Sequence, residues 1–163
     1  MEEITSVANA YLTFKMGDES FATPVSKVRE ILEFGKVTRV PNAPPYLRGI
    51  VNLRGQVLPV VDTRMKFGLP SVEETPRTRI IVLELKTNDK LLQFGALVDT
   101  ARDVVEISEE RIMPPPSMDD FRKAEFIEGV VETEGEFVML IKVDKVFSRE
   151  EVNTLTQHQE NDS

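Results

Sequence analysis

The 163-residue chain has no cysteine, no tryptophan and a single histidine, His158, close to its C-terminal end. Without cysteine there is no disulfide, no thiolate nucleophile and no thiolate metal site. With the only histidine in a segment expected to fray, a histidine-dependent nucleophilic triad is excluded as well. Basic residues are also in deficit: 20 Lys and Arg stand against 28 Asp and Glu, a formal charge of -8, and no basic cluster interrupts the balance. Such a balance disfavours bulk electrostatic attraction to nucleic acid or anionic lipid, and binding to nucleic acid is not expected. Long apolar runs are missing too. No stretch approaches the roughly 20 residues of a membrane span, and no charged start followed by an apolar run succeeds Met1. Direct membrane insertion is not expected, and the cytoplasm is the expected address. Phosphate cradles of the GxxxxGK(S/T) or GxGxxG kind and EF-hand acid spacings are absent, so neither a metal nor another cofactor is expected.

What remains has an ordinary globular composition, 40% hydrophobic and 29% charged, which fits one folded domain or two very small ones. Val, Ile, Leu and Phe come in short runs separated by turn residues, the pattern of a small all-β fold. Strands are predicted at Ala10 to Met16, Arg48 to Leu53, Gln56 to Asp62, Arg79 to Leu85, Leu91 to Val98, Ile127 to Glu132 and Glu136 to Val143. Gly17-Asp18, Arg54-Gly55, Thr87-Asn88-Asp89 and Glu134-Gly135 supply the positive φ that tight turns need. Short helices are expected at Asp62 to Leu69, at Met118 to Phe126 and at Ser148 to Gln157. The last begins with a Ser148–Glu151 capping box and a Phe147–Val152 staple.

The two halves resemble one another. LRGIVNLRGQVLPVVDTRMKF from Leu47 aligns without a gap on IEGVVETEGEFVMLIKVDKVF from Ile127, matching Gly49 with Gly129, Gly55 with Gly135 and Phe67 with Phe147. FATPVSKVREI from Phe21 matches FGALVDTARDV from Phe94, pairing Val25 with Val98, Arg29 with Arg102 and Glu30 with Asp103. Each unit has about the size of a five-stranded SH3-like barrel, too small to do without the other's packing. The expected organisation is an N-terminal arm at 1–9, one domain at 10–147 and a short helix with a frayed tail at 148–163. Within the domain, one subdomain is expected at about 14–78 and the other at about 79–147.

Three constellations bear on function. Val61-Asp62-Thr63 and Val98-Asp99-Thr100 place Asp-Thr pairs in separate halves, as an aspartic peptidase does. The glycine required after each Thr is replaced by Arg64 and Ala101, and the pairs fall at different places in the repeat, so two turn-proximal carboxylates are the favoured reading over an enzyme using Asp62 and Asp99. Arg54 is a cation on a tight hairpin where the second copy has Glu134, and it is available to Glu30 or to an acidic partner. Val25, Val28 and Ile31 form an apolar stripe matched by Val98, Ala101 and Val104. The spacing of three suits a helical turn running into a strand. Two such stripes meeting at a pseudo-twofold boundary make a groove for an apolar helix.

PNAPPYLRGIVNLRGQVLPVVD, from Pro41 to Asp62, resembles the signature of the CheW family of chemotaxis coupling proteins. The likeness extends through YLTFKMGDESFATPVSKVREIL, TRIIVLEL, FGALVDTARDVVEI and FIEGVVETEGEFVMLIKVDKVF, from about Ala10 to Ser148, with Thr63 and Lys142 as minor departures. The resemblance implies an all-β fold of two intertwined five-stranded SH3-like barrels and no catalysis. It also implies an adaptor that links the cytoplasmic tips of chemoreceptors to the regulatory domain of a chemotaxis histidine kinase, recruited to membrane-associated receptor arrays. With no receiver, ATPase or phosphotransfer segment in view, a standalone coupler is expected rather than a regulatory module of another kinase pathway. Carried over by position, the receptor groove falls on Val25, Val28, Glu30, Ile31, Val98, Ala101 and Val104, with the signature Arg54 near Glu30. Kinase contacts, at barrel ends in the family, map to Arg48, Val57 and Met118.

Overall fold

The computed structural model describes residues 9–70, 73–87, 90–115 and 126–160. Ten strands form two five-stranded sheets. In chain order they are β1 Ala10–Met16, β2 Glu19–Pro24, β3 Val28–Glu33, β4 Leu47–Leu53, β5 Gln56–Asp62, β6 Arg79–Thr87, β7 Lys90–Val98, β8 Thr100–Glu106, β9 Ile127–Thr133 and β10 Glu136–Ile141. The first sheet has the order β8-β1-β2-β10-β9 and the second β3-β6-β7-β5-β4. Each sheet contains one parallel pairing, β10 with β2 and β5 with β7, among antiparallel neighbours. The all-β class and the paired five-stranded units expected from the sequence are thus present.

The repeat governs local structure. Both aligned blocks form antiparallel hairpins, β4–β5 and β9–β10. Their turns have φ of 51° and 84° at Arg54 and Gly55, and 52° and 76° at Glu134 and Gly135, the two positive values of a type I′ turn. Both copies also bring a preceding segment against the hairpin, through the bridges Thr38↔Ile50 and Met113↔Val130. A side chain at Gly49 or Gly129 would collide with that segment, at 2.3 Å from the Thr38 oxygen and 2.7 Å from the Met113 oxygen.

The sheets do not coincide with the sequence halves 14–78 and 79–147. After β2 the chain leaves the first sheet, passes through a 3-10 turn at Val25–Lys27 and enters the second as its edge strand β3. After β7 it leaves the second sheet at Asp99 and returns to the first as its edge strand β8. Residues 10–24 therefore belong with 100–141, and residues 28–62 with 79–98. This reciprocal exchange is the physical content of the intertwining.

Three apolar clusters follow. Ala22, Ile107, Val131, Val138 and Leu140 fill the first sheet's own interior, and Val60, Ile80 and Leu97 that of the second. The largest lies between the sheets, where Leu12, Phe14 and Met16 of β1 meet Ile81, Leu83 and Leu85 of β6. Rings of Phe14, Phe21, Phe67 and Phe126 run through it with centroid separations of 5.9, 5.5 and 4.2 Å. Helix α1, Thr63–Lys66, is N-capped by Asp62, whose carboxylate accepts from Met65 N at 3.1 Å. Helix α2, Arg149–Glu160, starts with the expected capping box: Ser148 N donates to Glu151 at 2.8 Å and Glu151 N to Ser148 Oγ at 3.2 Å. Leu155 then buries itself in the central cluster. The helix expected at Met118 to Phe126 lies outside the described residues except for Phe126.

Candidate functional site

The two stripes occupy edge strands β3 and β8, and strand register explains their spacing. Opposite β6, Val28 pairs with Leu83 and Glu30 with Val82, so β3 carries an extra residue at that point; Ile31 then faces Ile81. Opposite β1, Ala101 pairs with Phe14 and Val104 with Leu12, with an extra residue between them on β8. A bulge of one residue puts positions three apart on one face. Their opposites Leu83, Ile81, Phe14 and Leu12 all belong to the cluster between the sheets. Both stripes therefore border that shared core. At their outer ends Ile31 is 44% exposed and Val104 62%, two of the few large apolar side chains left open to solvent.

The remaining groove candidates divide. Val25, Val28 and Ala101 are half-buried, so each retains surface. Val98 does not: it is fully buried in the central cluster and supports the seam from beneath. The expected spacing of three breaks there because Val98 ends β7 rather than belonging to β8. On the rim, Arg54 donates from Nη2 to both carboxylate oxygens of Glu30, at 2.9 and 2.5 Å. The pairing is possible because the type I′ turn throws Arg54 outward while Glu30 is half-buried beside it. Arg29, at the β3 bulge, pairs with Glu84; this hydrogen bond holds the Glu84 carboxyl below its usual range.

Arg48 is occupied within the molecule. Its guanidinium pairs with Asp62 at 3.3 Å and Glu74 at 3.2 Å, and only 18% of the side chain is exposed. Val57 is half-buried on β5, and Met118 lies outside the described residues. The two aspartates of the peptidase-like pattern have separate employments. Asp62 is buried, caps α1 and binds Arg48, whereas Asp99 accepts from Gly17 N and pairs with Arg64. Among the described residues no group of three His, Asp or Glu side chains is arranged to hold a metal ion. No helix among them is long and apolar enough to cross a membrane.

One further surface carries no motif in the sequence. An apolar hollow of about 590 Å³ on the first sheet is walled by Met113, Val130, Phe137 and Met139, with the acids Asp18, Glu19 and Glu136 at its side. Phe137 is 59% exposed. The signal was present in the repeat, where Phe137 of β10 stands in register with Val57 of β5. A single exposed Phe in an alternating strand did not announce itself.

The CheW-like domain model matches residues 10–151. A chemotaxis protein CheW of Rhizobium meliloti (strain 1021) is 36% identical over 151 residues, covering 92% of this chain and 94% of that protein. One of Bacillus subtilis (strain 168) is 33% identical over 139 residues, covering 85% and 86%. The crystal structure of the scaffolding protein TtCheW from Thermoanaerobacter tengcongensis superposes with a TM-score of 0.77 at 28% identity, over 86% of this chain and 88% of that one. With its duplicated hairpins, its exchanged edge strands and a family match over residues 10–151, the chain belongs to the CheW family.

Proposed function

We propose that the chain is a non-catalytic chemotaxis adaptor, holding a chemoreceptor cytoplasmic tip on one surface and the regulatory domain of a chemotaxis histidine kinase on another, within membrane-associated receptor arrays. The observation that carries this reading is the pair of register-equivalent apolar stripes. Val28 with Ile31 and Ala101 with Val104 border one seam, rimmed by the Arg54–Glu30 pair. Apolar side chains beside a charged rim suit an amphipathic helix, whose apolar face supplies area while polar contacts set register. The family name shared by the relatives, and the description of TtCheW as a scaffolding protein, agree with an adaptor role.

The kinase surface is assigned to the barrel ends, where the family's kinase contacts lie. Val57 marks it on the second sheet, and on the first sheet Phe137 and the apolar hollow mark it, whose wall residues Met113 and Pro114 lie shortly before Met118 in the sequence. Arg48 contributes there by fixing the β4–β5 hairpin through Asp62 and Glu74 rather than by projecting a free charge.

Two substitutions test the separation. Val28→Glu puts a charge at the seam and is expected to weaken binding of a purified receptor tip by tenfold or more, about 1.4 kcal/mol, with kinase-domain binding within twofold of wild type. Phe137→Asp is expected to do the reverse. Equal losses toward both partners, in variants with native circular dichroism and melting, contradict the two-surface reading.

A further inference from the structure

The crossovers that carry the stripes are each tied down by one carboxylate. Asp99, between β7 and β8, accepts a hydrogen bond from Gly17 N in the β1–β2 turn at 2.5 Å and pairs with Arg64 of α1 at 3.2 Å. Asp144 lies in the 3-10 turn Val143–Lys145 after β10. It accepts from Lys86 N of β6 at 3.1 Å and pairs at 3.1 Å with Lys27, in the 3-10 turn between β2 and β3. Each carboxylate therefore joins a crossover, a strand end of one sheet and the short helical turn that follows a strand of the other.

The two corners are alike in the repeat and their charges are exchanged, although the aligned blocks starting at Phe21 and Phe94 set Asp99 against Ser26, so that Lys27 stands one place further along its crossover. The aligned blocks starting at Leu47 and Ile127 set Arg64 against Asp144. Strand register sets Phe14 against Leu83, and therefore Gly17 against Lys86, three positions further along each strand. In one corner the crossover supplies the acid and the short helix the base. In the other the crossover supplies the base, Lys27, and the short turn the acid. A backbone N–H from the facing strand end completes both. None of these six residues belongs to the stripes, but Lys27 directly precedes Val28 and Asp99 stands two residues before Ala101. The side chains are 19 to 42% exposed, so water and salt reach them without dissolving them.

We propose that Asp99 and Asp144 are positioning residues for helix binding: two charge-exchanged latches that set the separation of the sheets and so the width of the seam between β3 and β8. This inference rests on the reading of that seam as the receptor-tip groove. Opening either latch frees one crossover, and the stripe residue next to it loses its place relative to its counterpart on the other sheet. The partner never touches the latch, so the effect passes through Val28 and Ala101.

The absence of cysteine makes the geometry measurable. Spin labels at Gln56→Cys and Glu132→Cys, exposed positions on the two sheets, report the inter-sheet distance by pulsed electron paramagnetic resonance. Binding of a purified receptor tip is measured on the same full-length proteins. Wild type is expected to show one narrow distance. Asp99→Ala/Asp144→Ala is expected to broaden it and to weaken tip binding about tenfold. Asp99→Asn/Asp144→Asn keeps an oxygen acceptor for Gly17 N and Lys86 N, and is expected to recover a narrow distance and most of the affinity. An unchanged distance in the alanine protein, an unchanged affinity despite broadening, or asparagine behaving no better than alanine overturns the proposal. Should the double alanine variant lose its native circular dichroism, Asp144→Ala alone, at the more exposed corner, is judged by the same criteria. A wild-type protein that does not bind the tip contradicts the adaptor reading instead, and the distance arm then decides the latches alone.

Discussion

Arg54 and Glu30 meet at 2.5 Å with side-chain exposures of 75% and 24%. An ion pair so open to water contributes about 0 to 1 kcal/mol to folding, so stability is a poor reason for its position at the rim of the seam. Orientation of Glu30 toward a polar patch on the bound helix is a better one. Arg54→Ala is expected to leave the melting temperature nearly unchanged and to weaken receptor-tip binding, and added salt is expected to narrow that difference. A double-mutant cycle with Glu30→Ala checks the coupling: losses that add within about 0.3 to 0.5 kcal/mol show the residues acting independently. This pair was legible in the sequence, because a cation on a Gly-containing turn opposite an acid in the second copy marks a position freed from the common scaffold. The burial of Val98 was not. Stripe spacing reports which residues share a face, and it cannot say where a strand ends and the chain dives into the core.

At the scale of elements, α2 shows how much a short helix owes to its first turn. Burial opposes ionisation of Glu151, but the Lys66 ammonium and Ser148 outweigh it and hold the carboxyl below its ordinary 4.5. Lys66 also sits over the rings of Tyr46 and Phe147, at 5.2 and 5.6 Å from their centroids. Burial, with Glu151 nearby, pushes the Tyr46 phenol up to about 12. A depressed carboxyl stabilises the fold fully above its unfolded value and ceases to do so as pH falls through the folded one. Denaturant melts of wild type and Lys66→Met are therefore expected to differ most above pH 5 and to converge as the solution is acidified below the ordinary carboxylate range. A gap independent of pH contradicts this role for Glu151. The capping box was visible as Ser148 followed by Glu151 three residues on. Strands β2, β3 and β8 were not, for two reasons. ESFATP lacks a run of large apolar residues, and in the other two a bulge converts the period of two into an apparent period of three.

For the whole molecule, the repeat foretold two like units but not which strands they trade. β3 and β8 exchange sheets, and the parallel pairings of β5 with β7 and β10 with β2 join segments far apart in the chain. Such pairings leave no local trace in composition or periodicity. The exchange places both stripes on a single seam, and the proposed second surface takes Val57 from one sheet and Phe137 from the other. Simultaneous occupancy is what the proposed adaptor role requires. It is tested most directly by immobilising a receptor tip and passing the kinase regulatory domain over it with and without the chain. Retention of the kinase domain only when the chain is present, with tip affinity undiminished at saturating kinase domain, is the predicted result. Release of the chain from the tip as the kinase domain is added would contradict it.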